Sequence, residues 1–550
     1  MDLHVIVGDR NRTVGVDGTA AHRSIADVLR SAEMSLNTRC GQRGICDGCL
    51  VDLVSGTLRE VESGTRVEAD QAPVRLRGCA HRLDGDGVTI RIPARSLLAQ
   101  RPAVVDQFKL NVSWAHDPLA GSDERTIGAA IDVGTTTVAL LLVDLSTGRI
   151  VGKASSFNAQ SKLGDNVLTR INLCTTDPSS VAVLQRAIVD DTLGPLLEQA
   201  MGRAAVTGDH LRAVTVAGNT TMLHLLAGVD PAPMGLAPFT PDFLEHRVLT
   251  DEEIDLPRPR GDGTAAGEKG GVPVHLLPGA AAYIGADVCA GVLATGLAYD
   301  EGPCLLVDVG TNGEIVARCG DRLLGCATAA GPAFEGAGLA CGIRAGDGAI
   351  SRVRFETDPF GVAVETIGGG APEGLCGTAY IDVLAEGRRI GLLGPTGRFE
   401  EALPKDAEWV DHGEYGRGLL LARGEEDRTQ FVTEPDIAAL LQAKAAIAAG
   451  IGTLLDRLGL AATDVRTLYL AGGFGMYMNV EAAIDCGLLP GFVPGQVQLV
   501  GNTSLAGAFV SLLDASVLDE LERIGKTMEI VELNLDPHFE SRYIDMLALP

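Results

Sequence analysis

Two stretches decide the fold: Asp132-Val133-Gly134-Thr135-Thr136-Thr137 and Asp308-Val309-Gly310-Thr311-Asn312-Gly313-Glu314. Each closes an apolar run, Ile127 to Val133 and Cys304 to Val309, and each leads into a second strand-like run, Val138 to Leu145 and Ile315 to Arg318. The pattern predicts two strand-turn-strand units far apart in the chain, hence two related lobes. The residue types carry a chemistry. Glycine lets a turn approach phosphate oxygens, threonine hydroxyls and turn amides donate to them, and a strand-end aspartate can hold Mg²⁺ through water. A third element, Tyr469-Leu470-Ala471-Gly472-Gly473-Phe474-Gly475, runs an apolar strand into a double glycine.

In this order the three elements resemble the phosphate-1, phosphate-2 and adenosine motifs of the acetate and sugar kinase/Hsp70/actin (ASKHA) superfamily. Competing nucleotide motifs fail. Gly148 to Ser155 has three residues between its glycines where a P-loop has four, and Ala154 stands where Ser or Thr should meet Mg²⁺. Gly336 to Gly342 is one residue too long for a dinucleotide fingerprint and opens no evident βαβ unit.

Four of the twelve cysteines are grouped. Cys40, Cys46 and Cys49 read C-x5-C-x2-C, and Cys79 follows after 29 residues. Glycines at 41, 44 and 48 let a loop wrap an inorganic cluster with its N–H groups turned inward. The first gap is one residue longer than in plant-type ferredoxins, which resembles the adrenodoxin-like branch of [2Fe-2S] ferredoxins. Zinc usually takes paired knuckles, and only one C-x2-C is present. Around these cysteines, Leu3 to Val7 and Val14 to Val16 predict a hairpin, Ser24 caps a helix from Ile25 to Ala32, and Cys49 to Val54 and Val88 to Ile92 predict strands. That order resembles the β-grasp ferredoxin fold. The other eight cysteines stand singly in mostly apolar surroundings and read as small core residues, leaving one cluster per chain. Arg39, Arg43, Arg75, Arg77 and Arg82 flank the cysteines; an acidic partner's docking face and ordinary solvated arginines are equally good readings.

With 550 residues, 69 glycines and only 4% aromatics, the chain has the profile of a multidomain α/β protein. Its formal charge is −27, yet residues 1 to 100 hold 13 Arg, no Lys and 13 acidic groups, so the acid excess lies in the remainder. Such a body argues against nucleic acid and gives an anionic membrane no reason to bind. No bilayer-spanning apolar stretch and no secretory leader is read, so a cytoplasmic protein is expected. Residues 95–125, with Pro102, Pro118, Gly121 and a polar run, read as a linker or extended arm, reaching on the order of 100 Å if fully stretched. It either swings or lies packed on the large domain.

Taken together, CGQRGICDGC (40–49), AIDVGTTTVA (130–139), VAGNTTMLHLLAGVDP (216–231), VDVGTNGE (307–314), ATAAGPAFEGAGLACGIRAG (327–346), EGLCGTAYID (373–382), AKAAIAAGI (443–451), YLAGGFG (469–475) and GLLPG (487–491) resemble the reductive activators of corrinoid-dependent enzymes across nearly the whole chain. The resemblance implies a β-grasp [2Fe-2S] ferredoxin domain (1–94), a linker (95–125), ASKHA lobe I (126–300) and ASKHA lobe II with a C-terminal return segment (301–550). It implies an enzyme: an ATP-dependent reductase that returns an inactive Co(II) corrinoid (cobalamin-type) protein of a methyltransferase system to Co(I). An uphill gap of about 200 mV is roughly 4.6 kcal/mol for one electron, which explains the need for ATP. The implied cofactors are one [2Fe-2S] cluster on Cys40, Cys46, Cys49 and Cys79, and ATP with Mg²⁺. The implied catalytic residues are Asp132, Asp308 and Glu314; the implied nucleotide-binding residues are Gly134, Thr135, Thr136, Gly310, Thr311, Asn312, Gly313, Gly472 and Gly473. Implied partners are the corrinoid protein, a low-potential electron donor and a second copy of the chain joined through the ASKHA domain. Asn219 to Met222 and Glu335 to Cys341 line the nucleotide cleft or face the corrinoid partner.

The chain departs from the family in two places. Only about thirty residues stand where members often carry a further small domain, and Gly78-Cys79-Ala80-His81 replaces the usual Ala-Cys-Gln. A Rieske centre needs two histidines, so His81 reads as a surface neighbour. The competing readings are a dehydratase-activator-like ATP-gated electron donor, a redox- and nucleotide-responsive regulatory protein, and a small-molecule kinase. The first wants a [4Fe-4S] cysteine pattern, the second no turnover, and the third no electron carrier.

Overall fold

Alternation of apolar with polar residues in Leu3, Val5, Val88 and Ile90 puts one face of a sheet into a core. The computed structural model describes all residues except 8–9, 17–21, 33, 35, 37–48, 70–71, 94–95, 97–106, 122–125, 165, 260–270, 311, 337, 402–403, 405, 412–415, 425–428 and 473–476. The chain divides into two units, Met1–Arg101 with Gln160–Asp165, and Pro102–Ala159 with Asn166–Pro550.

In the smaller unit, β1 (Asp2–Val7), β2 (Arg10–Gly15), β3 (Leu50–Glu60), β4 (Arg66–Ala69), β5 (Val74–Arg77), β6 (His81–Leu83) and β7 (Val88–Arg91) form one sheet of order β2-β1-β7-β3-β4, with β5 and β6 also on β3. The hairpin, the helix and the later strands are where the sequence puts them, although β2 begins four residues early, at Arg10. Helix α1 (Ile25–Ser31) starts at Ser24, whose Oγ accepts from the Asp27 N–H, and buries Ile25, Ala26, Val28 and Leu29. Cys49 and Cys79 both belong to this core. The β3–β5 ladder brings their neighbours together: the Gly78 N–H donates to the Cys49 carbonyl at 2.9 Å. A Cβ at Gly78 would stand 2.7 Å from Leu36 Cδ1 and 3.1 Å from that carbonyl, so this position has little room for a side chain. His81 corrects the sequence reading. It is buried, not at the surface, and its Nδ1 pairs with the Arg77 carbonyl at 2.9 Å. Arg75 is half-exposed and pairs with Asp52. Cys40, Cys46, Arg39 and Arg43 lie outside the described residues.

The larger unit repeats one topology. Strands β8 (Ile127–Val133), β9 (Thr137–Asp144), β10 (Arg149–Phe157), β11 (Leu211–Gly218), β12 (Arg247–Thr250) and β13 (Pro273–Leu276) run in the order β10-β9-β8-β11-β13-β12. Strands β14 (Cys304–Val309), β15 (Gly313–Cys319) and β16 (Arg322–Thr328) begin the second sheet. Between them and its remaining strands come two three-stranded sheets, built from β17 (Ala349–Thr357), β18 (Phe360–Thr366) and β19 (Gly374–Leu375), and from β20 (Trp409–Asp411), β21 (Arg417–Arg423) and β22 (Thr429–Thr433). Strands β23 (Thr467–Ala471), β24 (Val497–Gly501) and β25 (Glu529–Ile530) complete the order β24-β23-β14-β15-β16-β25. In each sheet a three-stranded antiparallel meander is extended from its first strand by two parallel strands, β8 by β11 and β13, and β14 by β23 and β24. The rejected P-loop mimic, Gly148 to Ser155, lies in the turn and edge strand of β10.

Helices in the first half are α2 (Val167–Thr176), α3 (Ser180–Ile188), α4 (Gly194–Ala204), α5 (Thr220–Leu226) and α6 (Ala286–Ala294); those in the second are α7 (Gly377–Arg389), α8 (Glu434–Leu458), α9 (Val480–Asp485), α10 (Thr503–Leu513), α11 (Val517–Thr527) and α12 (Phe539–Asp545). Helix α6 follows β13 and α10 follows β24, so the two are counterparts. They cross closely: a Cβ on Gly507 would stand 2.4 Å from Ala290 Cβ, and one on Gly291 would stand 2.8 Å from Thr503 Oγ1. Helix α8 corrects another expectation, for its 25 residues are long and apolar enough to cross a bilayer. Of its most apolar window, 78% is buried inside the protein, so it is a core helix. It starts at a Thr433–Asp436 capping box and ends at Gly459 in the left-handed region.

The arm takes the packed alternative where it is described. Lys109, Asn111, Asp117 and Leu119 donate backbone N–H bonds to the carbonyls of Val500, Ala294, Leu513 and Leu512, and Phe108 and Trp114 flank Phe509. Seven of the eight scattered cysteines, Cys174, Cys289, Cys304, Cys326, Cys341, Cys376 and Cys486, are buried, as packing residues should be.

Candidate functional site

Both glycine turns open on one cleft of about 210 Å³ within the larger unit. The first turn leaves four residues between the paired Val133 and Val138, the second three between Val309 and Gly313. A Cβ on Gly134 would stand 2.6 Å from the Thr137 carbonyl, and one on Gly472 would stand 2.5 Å from the Val309 carbonyl and 2.6 Å from Asp308 Oδ1. Glycine at these positions keeps the backbone close-packed at the cleft. Asp132, Gly134, Thr135, Thr136, Asp308, Gly310, Asn312, Glu314 and Gly472 all line the cleft. Gly313 does not: it faces Thr328, whose hydroxyl donates to its carbonyl. Thr311 and Gly473 lie outside the described residues.

The two aspartates have different surroundings. Asp132 sits opposite Ala139 on the β8–β9 ladder, and each of its oxygens accepts a neutral donor, Asn502 Nδ2 at 2.8 Å and Ser504 Oγ at 2.7 Å. Asp308 sits opposite Glu314 on the β14–β15 ladder. Like charges directly opposite repel. Asp287, from the first turn of α6, adds a third carboxylate. Burial pushes Asp308 up to about 7, and the charges of Asp287 and Asp132 add to the shift. Burial, then the Asp132 charge, pushes Asp287 to about 7. Glu314 is held well above the usual carboxylate range by burial, then by Asp287 and Asp308. Burial also raises Asp132, while Ser504 and Asn502 pull it back.

Internal duplication explains the difference. Ser504 and Asp287 are both the second residue of their helices, α10 and α6. One lobe's helix thus presents a hydroxyl to Asp132, and its counterpart presents a carboxylate beside Asp308 and Glu314. Asn502 caps α10 by accepting from the Leu505 N–H at 2.8 Å, so one side chain serves both the helix and Asp132. Asn219 caps α5 in the same way and donates to Thr135 Oγ1 at 2.9 Å. Behind this turn the buried Arg170 donates to the Thr135 carbonyl at 2.5 Å. Of the segments the sequence left open, Asn219 and Glu335 line the cleft. Asp287, Asn502 and Ser504 belong to no motif read from the sequence.

A family model described as the C-terminal ASKHA domain of RACo matches residues 302–550, and one described as the RACo middle region matches 127–300. A corrinoid activation enzyme, RamQ, of Eubacterium limosum is 32% identical, covering 94% of this chain and 95% of that protein. The chain belongs to the RACo family of corrinoid activators. It is also 27% identical to a Co(II) methylated-amine-specific corrinoid protein reductase of Methanosarcina barkeri, over 72% of each chain. The solved reductive activator for corrinoid, iron-sulfur protein superposes over 100% of this chain and 98% of that one, with a TM-score of 0.71 and 30% identity. The repeated sheet topology is therefore the ASKHA fold of a RACo-family member.

Proposed function

We propose that this chain activates a corrinoid protein by passing one electron to its Co(II) state at the expense of ATP, restoring Co(I) for methyl transfer. The observation that carries the nucleotide half is the meeting of both glycine turns and three carboxylates, Glu314 buried and Asp287 and Asp308 half-buried, in one cleft. Carboxylates held so close want a divalent cation. Among the described residues no three such side chains stand close enough together to ligate a metal ion directly, so Asp287, Asp308 and Glu314 would hold Mg²⁺ through water, whereas both Asp132 oxygens already accept side-chain donors. Thr135, Thr136 and the amides of both turns would hold phosphate oxygens, and Gly472 would lie along the adenosine. Mg²⁺ bound there would supply charge compensation for the phosphates.

For the smaller unit we read a β-grasp ferredoxin domain. Its mixed sheet with helix α1 packed in the same core, and the placement of Cys49 and Cys79 at the end of the β3–β5 ladder, support that reading. The four thiols of Cys40, Cys46, Cys49 and Cys79 have the donor chemistry of a [2Fe-2S] site, the latter two in an apolar core that limits solvent access. A cluster held there would supply one electron at a time. The same reading takes residues 1–94 as the ferredoxin domain, 95–125 as the arm, and 126–300 and 301–550 as the ASKHA lobes. It also takes a low-potential donor, a homodimer through the ASKHA domain, no nucleic acid or membrane partner, and a cytoplasmic location.

The test is anaerobic reconstitution of the full chain. Iron and sulfide should match one [2Fe-2S] cluster per chain, with a one-electron paramagnetic signal on reduction that C79S abolishes. A four-iron content, or an undiminished signal in C79S, would contradict the reading.

A further inference from the structure

The cleft holds five carboxylates, Asp132, Asp287, Asp308, Glu314 and Glu335, and among its described lining residues a single cationic side chain, Arg344. A nucleoside triphosphate brings several further negative charges. A divalent ion held through water beside Asp287, Asp308 and Glu314 would leave the far side of the phosphate tail to the turn amides, two threonines and this arginine. Arginine suits that task because its planar fork of N–H donors matches phosphate oxygens.

The backbone before Arg344 is built to present it. Gly336 has φ +74°, and a Cβ there would stand 2.5 Å from the Ile343 carbonyl; a Cβ on Gly342 would stand 2.2 Å from the Gly336 carbonyl. Glycine is therefore required at both ends of a loop that closes on itself. The Ile343 N–H donates to the Leu375 carbonyl at 2.8 Å, which ties the loop to β19 just before Arg344. The guanidinium then lies 4.5 Å from the ring centroid of Phe157. Phe157 ends β10, opposite Thr137 of the first glycine turn. Thus a residue of the second ASKHA lobe stands beside the phosphate turn of the first. The Gly336–Gly342 segment, which fits no dinucleotide fingerprint, gains a role as the support of this arginine.

We propose that Arg344, whose guanidinium lies over the Phe157 ring, is a phosphate-tail ligand of the bound nucleotide. The proposal rests on the nucleotide reading given above.

The experiment measures equilibrium binding of MgATP and of AMP to the full chain, as wild type, R344A, R344K and F157L, with circular dichroism as a check on folding. R344A should weaken MgATP at least tenfold and AMP less than threefold. R344K, which keeps the charge but not the fork, should recover part of the loss. F157L should leave MgATP binding within threefold of wild type or tighten it. Equal losses on MgATP and AMP, or undiminished MgATP binding in R344A, would overturn the proposal. Should R344A not fold, R344K decides alone: full wild-type affinity for MgATP overturns the role of the guanidinium. A wild-type chain that binds neither nucleotide would instead sink the nucleotide reading on which the proposal stands.

Discussion

At the scale of single residues, the cleft turns on how three carboxylates and one hydrogen-bonded aspartate differ. A carboxyl whose pKa is raised on folding holds its proton more tightly in the folded chain than in the unfolded one. Without metal, ionising Asp287 and Asp308 therefore lowers stability as pH climbs from about 4 through about 7, by a few kcal/mol at most. A divalent cation competes with those protons. Mg²⁺ should accordingly raise the calorimetric midpoint more at pH 8 than at pH 6, and D308N should shrink both the metal effect and its pH dependence. Equal Mg²⁺ stabilisation at both pH values would argue against these carboxylates as ligands. Asn502 gives a second expectation. N502A loses a helix cap, worth roughly 0.5–2 kcal/mol, and leaves Asp132 short of a donor. N502D keeps the cap yet sets carboxylate against carboxylate. It should bind MgATP more weakly than N502A by titration, an order that a purely capping role would reverse.

At the scale of elements, the legible features were local. Asp, Gly and Thr at a turn between apolar runs mark a phosphate-type hairpin because the turn's chemistry is written in consecutive residues, and β8, β14 and β23 fall where those runs predict. Ser24 announced α1 for the same reason. Asp287, Ser504, Asn502 and Arg344 were not legible, because each reaches its place from another lobe or another helix; nothing adjacent to Asp287 in the chain says that α6 will point it at β14. His81 was misread since its burial depends on the β3–β6 pairing. The length of α8 was missed because Lys444 and the terminal charges interrupt its apolar run, while the Lys444 ammonium is satisfied by the Ala548 carbonyl at 2.7 Å. The crossing of α6 and α10 supports both helix N-termini at the cleft. A side chain at Gly507 has no room against Ala290. G507V should therefore cost about 1–3 kcal/mol or more of stability and weaken MgATP binding, measured by calorimetry and titration.

At the scale of the whole molecule, sequence symmetry and functional asymmetry coexist. The two ASKHA lobes repeat one sheet topology, yet one aspartate is held by neutral donors and its counterpart faces further carboxylates. The described part of the arm, residues 107–121, bonds along β24 and α10, the segment that carries Asn502 and Ser504. The arm thus runs along the helix that holds Asp132. The central claim is that nucleotide in this cleft enables one-electron reduction of a corrinoid partner. It is tested most directly by mixing the pre-reduced, cluster-loaded full chain with a Co(II) corrinoid protein and following Co(I) absorbance with and without MgATP. The account predicts Co(I) only with MgATP, and little of it in D308N or C79S. Co(I) formed equally well without nucleotide, or absent with it, would contradict the account.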